Sequence, residues 1–334
     1  MARPKRFIDG LLVNWGDDLF YPPVRPTKTP TSKPLGWANI IMPDKPAAIR
    51  AQITRTTQKT PEVMVKITSK MGAGKGMAAI ANHLDYISRN GKVQLEDHEG
   101  RLLNSRADVK DIKNDWAEDI SEVTKRRETI NVIFSMAKGT PAAEVKEAVS
   151  NYLKQEFGGK HEYVFALHTD TDNPHVHVCI KMAPIKKRSK RLNPRKNDLQ
   201  RWREGFAQSL RKYGIAANAT PRKTRGVTQQ PLHQYQLHQS ARQQHSIFRK
   251  SAKTNVEAHT KEIHAWANIA NVLAKSEDLS DRALAKEVVA FMAEQPIRQV
   301  SNISVQKSND DISIPSEQLP TGIKLKKRQE QLSK

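Results

Sequence analysis

The chain has 334 residues, a formal net charge of +21 and a single cysteine, Cys179. So basic a balance points to a polyanionic partner, nucleic acid above all. One cysteine excludes an intramolecular disulfide and a cysteine-based zinc site and fits a reducing compartment, and no apolar run approaches the ~18 residues of a membrane span, so a cytoplasmic protein is expected.

Residues 1–60 hold 8 of the 18 prolines. They are expected to form an extended, poorly packed arm, in which Leu11, Leu12, Trp15 and Phe20 could dock on a partner. From Glu62 the pattern becomes globular. Val63 to Ile67 alternates like a strand, and Gly72-Ala-Gly74-Lys-Gly76 is a turn lacking the first glycine and the Ser/Thr of a phosphate loop. Met77, Ile80, Leu84 and Ile87 make the apolar stripe of a helix over 77–88. A second helix is expected over 108–123, a strand over 129–134, and a helix capped by Thr140 and closed by Gly158-Gly159. Strands at 162–167 and 175–182 and a helix at 199–213 follow. This order predicts an α+β layer fold, an antiparallel sheet covered by helices. Composition shifts after Thr228, where a Gln/His/Arg-rich stretch precedes two more helices and a basic tail. The expected domains are therefore an arm over 1–60, a catalytic or binding domain over 61–235 and a helical C-terminal region over 236–334.

The densest chemistry is the run from His168 to His177. Side chains alternate along a strand, so His175 and His177 share a face while Val176 and Val178 take the other. With His168 they form a set of three imidazoles suited to a divalent metal that acts on a phosphate oxygen. Asp170 could orient a histidine or help remove a proton. Tyr86 lies off the apolar stripe of its helix, which makes it a candidate nucleophile needing activation.

Three blocks together resemble the HUH relaxases of conjugative and mobilizable plasmids, in the group that contains the T-DNA border endonuclease. They are Leu84-Asp-Tyr86-Ile-Ser-Arg89-Asn-Gly91-Lys, Ile130-Asn-Val-Ile-Phe-Ser135-Met-Ala-Lys-Gly139, and the His168–His177 run. The resemblance implies a ferredoxin-like antiparallel sheet with the His-hydrophobe-His strand central. It implies that Tyr86 attacks one strand at an origin of transfer, giving a 5′-phosphotyrosyl link and a free 3′-OH. His168, His175 and His177 map onto metal ligands, with Mg2+ or Mn2+ expected, and Asp170 onto the assisting carboxylate. Ser135 maps onto a DNA-contacting serine. The implied partners are single-stranded origin DNA, a relaxosome accessory protein and a type IV coupling protein.

Arg89 and the basic residues after the histidine strand, Lys181, Lys186, Lys187 and Arg188 among them, are expected to track phosphates beside the site. Alternatives remain. In a rolling-circle initiator or single-strand transposase the nucleophile follows the histidines, where Tyr213 stands. A metal nuclease would use water, and a non-enzymatic basic protein would bind DNA without cutting it.

Overall fold

A computed structural model of the chain describes residues 2–20, 44–68, 76–186, 188–227 and 256–295. In chain order its elements are α1 (Lys5–Phe20), α2 (Lys45–Thr57), β1 (Met64–Ile67), α3 (Gly76–Ile87), β2 (Leu95–Asp97) and β3 (Leu102–Leu103). Then come α4 (Arg106–Asp119), β4 (Thr129–Ser135), α5 (Ala142–Phe157), β5 (Tyr163–His168), β6 (His175–Lys181), α6 (Lys196–Lys212), α7 (Val256–Ala274) and α8 (Leu279–Glu294). They divide into two compact units, one of Thr60–Ala219 and one combining Met1–Lys59 with Thr220–Lys334.

The 60–219 unit is an α+β fold on a six-stranded sheet in the order β1-β4-β6-β5-β2-β3. Every neighbouring pair is antiparallel. β4 and β5 run parallel to each other, joined by α5, and β6 fills the gap between them. The His-hydrophobe-His strand thus has a partner on each side. Strand alternation gives the sheet two different faces. Val176, Val178 and Ile180 of β6 join Tyr163 and Phe165 of β5 in a core with α5 and α6. Cys179, Val164 and Ala166 point the other way, into a core with α3 and α4. His175 and His177 share the parity of Cys179, so they belong to the α3/α4 face.

Local signals explain the helix ends. Ser105 caps α4, accepting from the Asp108 amide, while the Asp108 carboxylate accepts from the Ser105 amide, a reciprocal box. Thr140 does not cap α5; its hydroxyl donates to the Ala137 carbonyl, and Pro141 occupies the cap position. The hairpin β2–β3 was not evident in the sequence. Its turn is held by Asp97, whose carboxylate accepts from the amides of Glu99 and Arg101 and from the Arg101 guanidinium.

The other unit corrects the expectation of an extended arm. Residues 5–20 and 45–57 are helical. Ile8, Leu12, Leu19 and Phe20 of α1 and Ile49 and Ile53 of α2 are buried with Trp266, Ile269 and Leu273 of α7 and Val288 and Phe291 of α8. The spacing of Ile8, Leu12 and Leu19 is helical, and a buried stripe outweighs the proline-rich composition of the surrounding window. Residues 21–43, which carry most of those prolines, lie outside the described residues, as do His233, His238, His245 and the basic C-terminal tail.

Candidate metal centre and nucleophile

The histidine run closes on itself because β5 and β6 are adjacent strands. His168, the last residue of β5, pairs in register with His175, the first of β6, and His177 pairs with Ala166 one step along the same face. The ring centroids are 4.5 Å apart for His168 and His177, 5.1 Å for His175 and His177, and 5.5 Å for His168 and His175. One nitrogen from each ring falls within 4.8 Å of the others. Among the described residues no other His, Cys, Asp and Glu side chains form such a group.

Hydrogen bonds set which nitrogen faces inward. His168 donates from Nε2 to the Ile87 carbonyl at 2.7 Å. Its Nδ1 is then buried with no hydrogen-bond partner, a cost of about 1–3 kcal/mol that a bound cation would relieve. His175 donates from Nδ1 to the Asn173 carbonyl at 3.0 Å, leaving Nε2 for the cluster. Burial lowers the pKa of His177 to about 3, helped by the proximity of His168 and His175. The pKa of His168 is also lowered, again mainly by burial. Both rings are thereby kept as neutral imidazoles, the form that ligates metal. The donor set, the orphaned Nδ1 and the outer hydrogen bonds to backbone carbonyls all fit a divalent ion.

Tyr86 comes to this triad from the end of α3. It stands off the stripe that buries Ile80, Leu84 and Ile87, and remains 51% exposed. Its ring meets His177 edge-on at 5.7 Å and His168 at 6.5 Å between centroids. The Ile87–His168 hydrogen bond ties the residue after the tyrosine directly to the triad. The Arg89 guanidinium lies 4.9 Å above the Tyr86 ring and pairs with Asp170. Asp170 in turn lies 4.0 Å from His175 Nε2. Its pKa is lowered: the burial that would raise it is outweighed by Arg89. Arg89, Asn90 and Gly91 are all left-handed, with φ of +50°, +56° and +81°. This turn brings Arg89 back over the helix end. A Cβ on Gly91 would stand 2.5 Å from the Arg106 amide nitrogen, so glycine is required there.

Other expected site residues are placed differently. Ser135 is buried, and its hydroxyl donates to the Pro174 carbonyl at 3.1 Å, tying the end of β4 to the loop before His175. It presents no free donor to DNA. Lys181 is 4% exposed and paired with Asp119 at 2.9 Å and Glu162 at 3.3 Å. Six residues of extended chain separate it from His175, about 20 Å. The basic run after it therefore leaves the sheet at the end opposite the triad rather than beside it. Lys186 and Arg188 are exposed in a turn at that far end, closed by the Ser189 amide on the Lys186 carbonyl, and Lys187 lies outside the described residues. Tyr213 follows α6, whose helix packs on the face opposite the histidines. Trp202 of α6 is fully buried in that same core.

One neighbour of the tyrosine escaped the sequence reading. His83, one helical turn before Tyr86, stacks on its ring at 6.1 Å between centroids and 25° between planes. The signal was the three-residue spacing, which puts both side chains on one side of α3.

Residues 86–215 match the family model for the MobA/VirD2-like relaxase nuclease domain, a segment that begins at the tyrosine and ends within the 60–219 unit. The chain is similar to the T-DNA border endonuclease VirD2 of Rhizobium radiobacter, 26% identical over 191 residues, covering 51% of this chain and 44% of that protein. The VirD2 proteins of Agrobacterium fabrum and Rhizobium rhizogenes are also 26% identical, over 55% and 56% of this chain and 45% and 47% of theirs. The chain thus spans less than half the length of these relatives. A solved chain titled "Molecular Basis of Vancomycin Resistance Transfer in Staphylococcus aureus" superposes with a TM-score of 0.30 at 15% identity, over 48% of this chain and 99% of that one. So loose a superposition supports no assignment.

Proposed function

We propose, from the match of residues 86–215 to the MobA/VirD2-like relaxase nuclease family model, that the chain nicks one strand of plasmid DNA at an origin of transfer through Tyr86. The observation that carries this reading is the meeting of the Tyr86 ring with the rings of His168 and His177. A nucleophile and a phosphate-activating centre must share one place, and here a helix and two strands bring them together.

In the proposed reaction the Tyr86 phenol oxygen attacks the scissile phosphorus. The P–O3′ bond breaks, the 3′ oxygen takes up a proton, and a 5′-phosphotyrosyl ester forms. One phosphodiester replaces another, so the same site can rejoin the ends by the reverse step. A divalent ion held by His168, His175 and His177, Mn2+ suiting nitrogen donors better than Mg2+, would draw charge from a non-bridging phosphate oxygen. Arg89 lies over the face of the Tyr86 ring, a cation–π contact, and is held there by Asp170. Asp170 lies 4.0 Å from His175 Nε2, while the His175 ring is oriented by its Nδ1 bond to the Asn173 carbonyl. The accessory and coupling proteins, a docking role for the helical unit and cytoplasmic residence belong to the same proposal.

The test is incubation with a labelled single-stranded oligonucleotide carrying the cognate origin, with Mn2+ or Mg2+, followed by denaturing electrophoresis. Wild type should give label at protein size, Tyr213→Phe should as well, and Tyr86→Phe should not. Cleavage without a protein-sized band would indicate a water nuclease. Binding without cleavage at a verified site would indicate a non-enzymatic protein.

A further inference from the structure

We propose that His83 is a positioning residue, a flat wall that fixes the ring plane of Tyr86 against the histidine triad. The inference rests on the reading of Tyr86 as the nucleophile.

Tyr86 is half exposed and ends its helix, so little else would restrain its side chain. The residues after it turn away in left-handed conformations. On the triad side it has only edge contacts, at 5.7 Å with His177 and a tilted approach at 6.5 Å with His168. On Arg89 it has a cation 4.9 Å from its centroid, and that guanidinium is on an exposed side chain whose other partner, Asp170, is more than half exposed. Among the described residues His83 alone offers it a near-parallel ring. The two side chains are one turn apart on the same helix, so the stack is set by backbone geometry and needs no loop to be ordered first. A nucleophile misplaced by about 1 Å can lose on the order of 100-fold in rate, which gives a wall of this kind a kinetic consequence.

The surroundings of His83 indicate that its ring, rather than its proton chemistry, is what is used. Nε2 is buried without a hydrogen-bond partner among the described residues. Burial holds the imidazole neutral, with a pKa lowered to about 4. The wall therefore presents a neutral ring to Tyr86. A phenyl ring would fill the same role without the orphaned nitrogen.

The experiment compares wild type, His83→Ala and His83→Phe in single-turnover formation of the protein–DNA adduct, alongside oligonucleotide affinity. His83→Ala should slow adduct formation at least tenfold with affinity within twofold of wild type, and His83→Phe should retain at least half of the wild-type rate. A wild-type rate in His83→Ala, or equal loss in both variants, would overturn the proposal. A readout independent of cleavage is the ring-current shift of the Tyr86 resonances in tyrosine-labelled protein, assigned against Tyr86→Phe. It should persist in His83→Phe and be lost in His83→Ala; an unchanged shift in His83→Ala would equally overturn the stack. If wild type forms no adduct at all, the relaxase reading fails, and the ring-current shift then decides the stack by itself.

Discussion

Tyr86 and His177 meet edge to face with ring centroids 5.7 Å apart, the tyrosine from the end of α3 and the histidine from an interior strand. The contact uses the ring and leaves the hydroxyl for chemistry. Tyr86→Phe should therefore leave the fold and the triad intact. Its melting temperature should fall within about 4 °C of wild type, since a half-exposed hydroxyl contributes at most about 1 kcal/mol. Its affinity for Mn2+ should be unchanged, and its DNA adduct absent. Thermal melts and metal titration of the same preparation check this. A large loss of stability would mean that the hydroxyl is structural.

The orphaned Nδ1 of His168 predicts that the folded state gains from a cation. Mn2+ at 100 times its dissociation constant should stabilise the 60–219 unit by about 2.7 kcal/mol, seen as a rise in melting temperature that EDTA reverses. His168→Ala or His177→Ala should abolish the rise. The same rise in both variants would place the ion elsewhere.

The site was legible to different depths. The three histidines could be grouped from sequence because strand alternation puts His175 and His177 on one face whatever the rest of the fold does. Tyr86 stood out because it breaks the stripe of Met77, Ile80, Leu84 and Ile87. What the sequence hid were relationships across space. Lys181 reads as the first residue of a basic run, yet Asp119 and Glu162 come from other elements to bury and neutralise it. Ser135 maps by resemblance onto a DNA-contacting serine, but its hydroxyl donates to the carbonyl of Pro174. The helix α1 carries its stripe in Ile8, Leu12 and Leu19, but the partners that bury it, Trp266 and Val288, lie more than 200 positions later. The strands β2 and β3 are too short, at three and two residues, to show any period.

His83 carries a pH dependence whose sign follows from its surroundings. Its pKa is lowered by burial from 6.5 to about 4 in the folded protein. The folded state thus binds that proton less readily than the unfolded chain does. The stability this neutral ring permits is fully present above pH 6.5 and is lost as pH falls from about 6.5 to about 4. The loss for this one group amounts to roughly 2–3 kcal/mol at pH 4. His83→Phe cannot take up the proton, so the stability difference between it and wild type should widen over that window and be flat above it. Denaturant titrations of metal-free protein at pH 7.5, 6, 5 and 4 measure it. A difference independent of pH would show that His83 is not held neutral.

Arg50 is the polar keystone of the helical unit. It donates from Nε and Nη2 to the two Asp281 oxygens at 2.6 and 3.0 Å and from Nη1 to Asp9 at 2.6 Å. Asp281 is 1% exposed, and Ser276 also donates to it. Arg50→Ala would leave that carboxylate buried without its cation, which costs about 3–5 kcal/mol. Because the pair joins α2 to α8, the loss should appear as unfolding of the helical unit at lower denaturant. A change below about 1 kcal/mol would mean that the carboxylate is rehydrated when the arginine is removed.

Distance separates the turn carrying Lys186 and Arg188 from the histidine triad. Lys181 ends β6 about 20 Å from His175, and the turn lies beyond it. A short oligonucleotide of about six nucleotides centred on the scissile phosphate would not span that gap. Replacing Lys186, Arg188 and Lys190 together by alanine should leave nicking of such an oligonucleotide within about twofold of wild type. On longer DNA the same variant should bind more weakly at low salt. Its dependence of log affinity on log salt should be shallower by roughly one for each phosphate contact removed. Binding isotherms at several salt concentrations, with short and long DNA, separate the two arms. Equal impairment on both would bring the turn to the site after all, and no change on either would leave these cations as solvated surface.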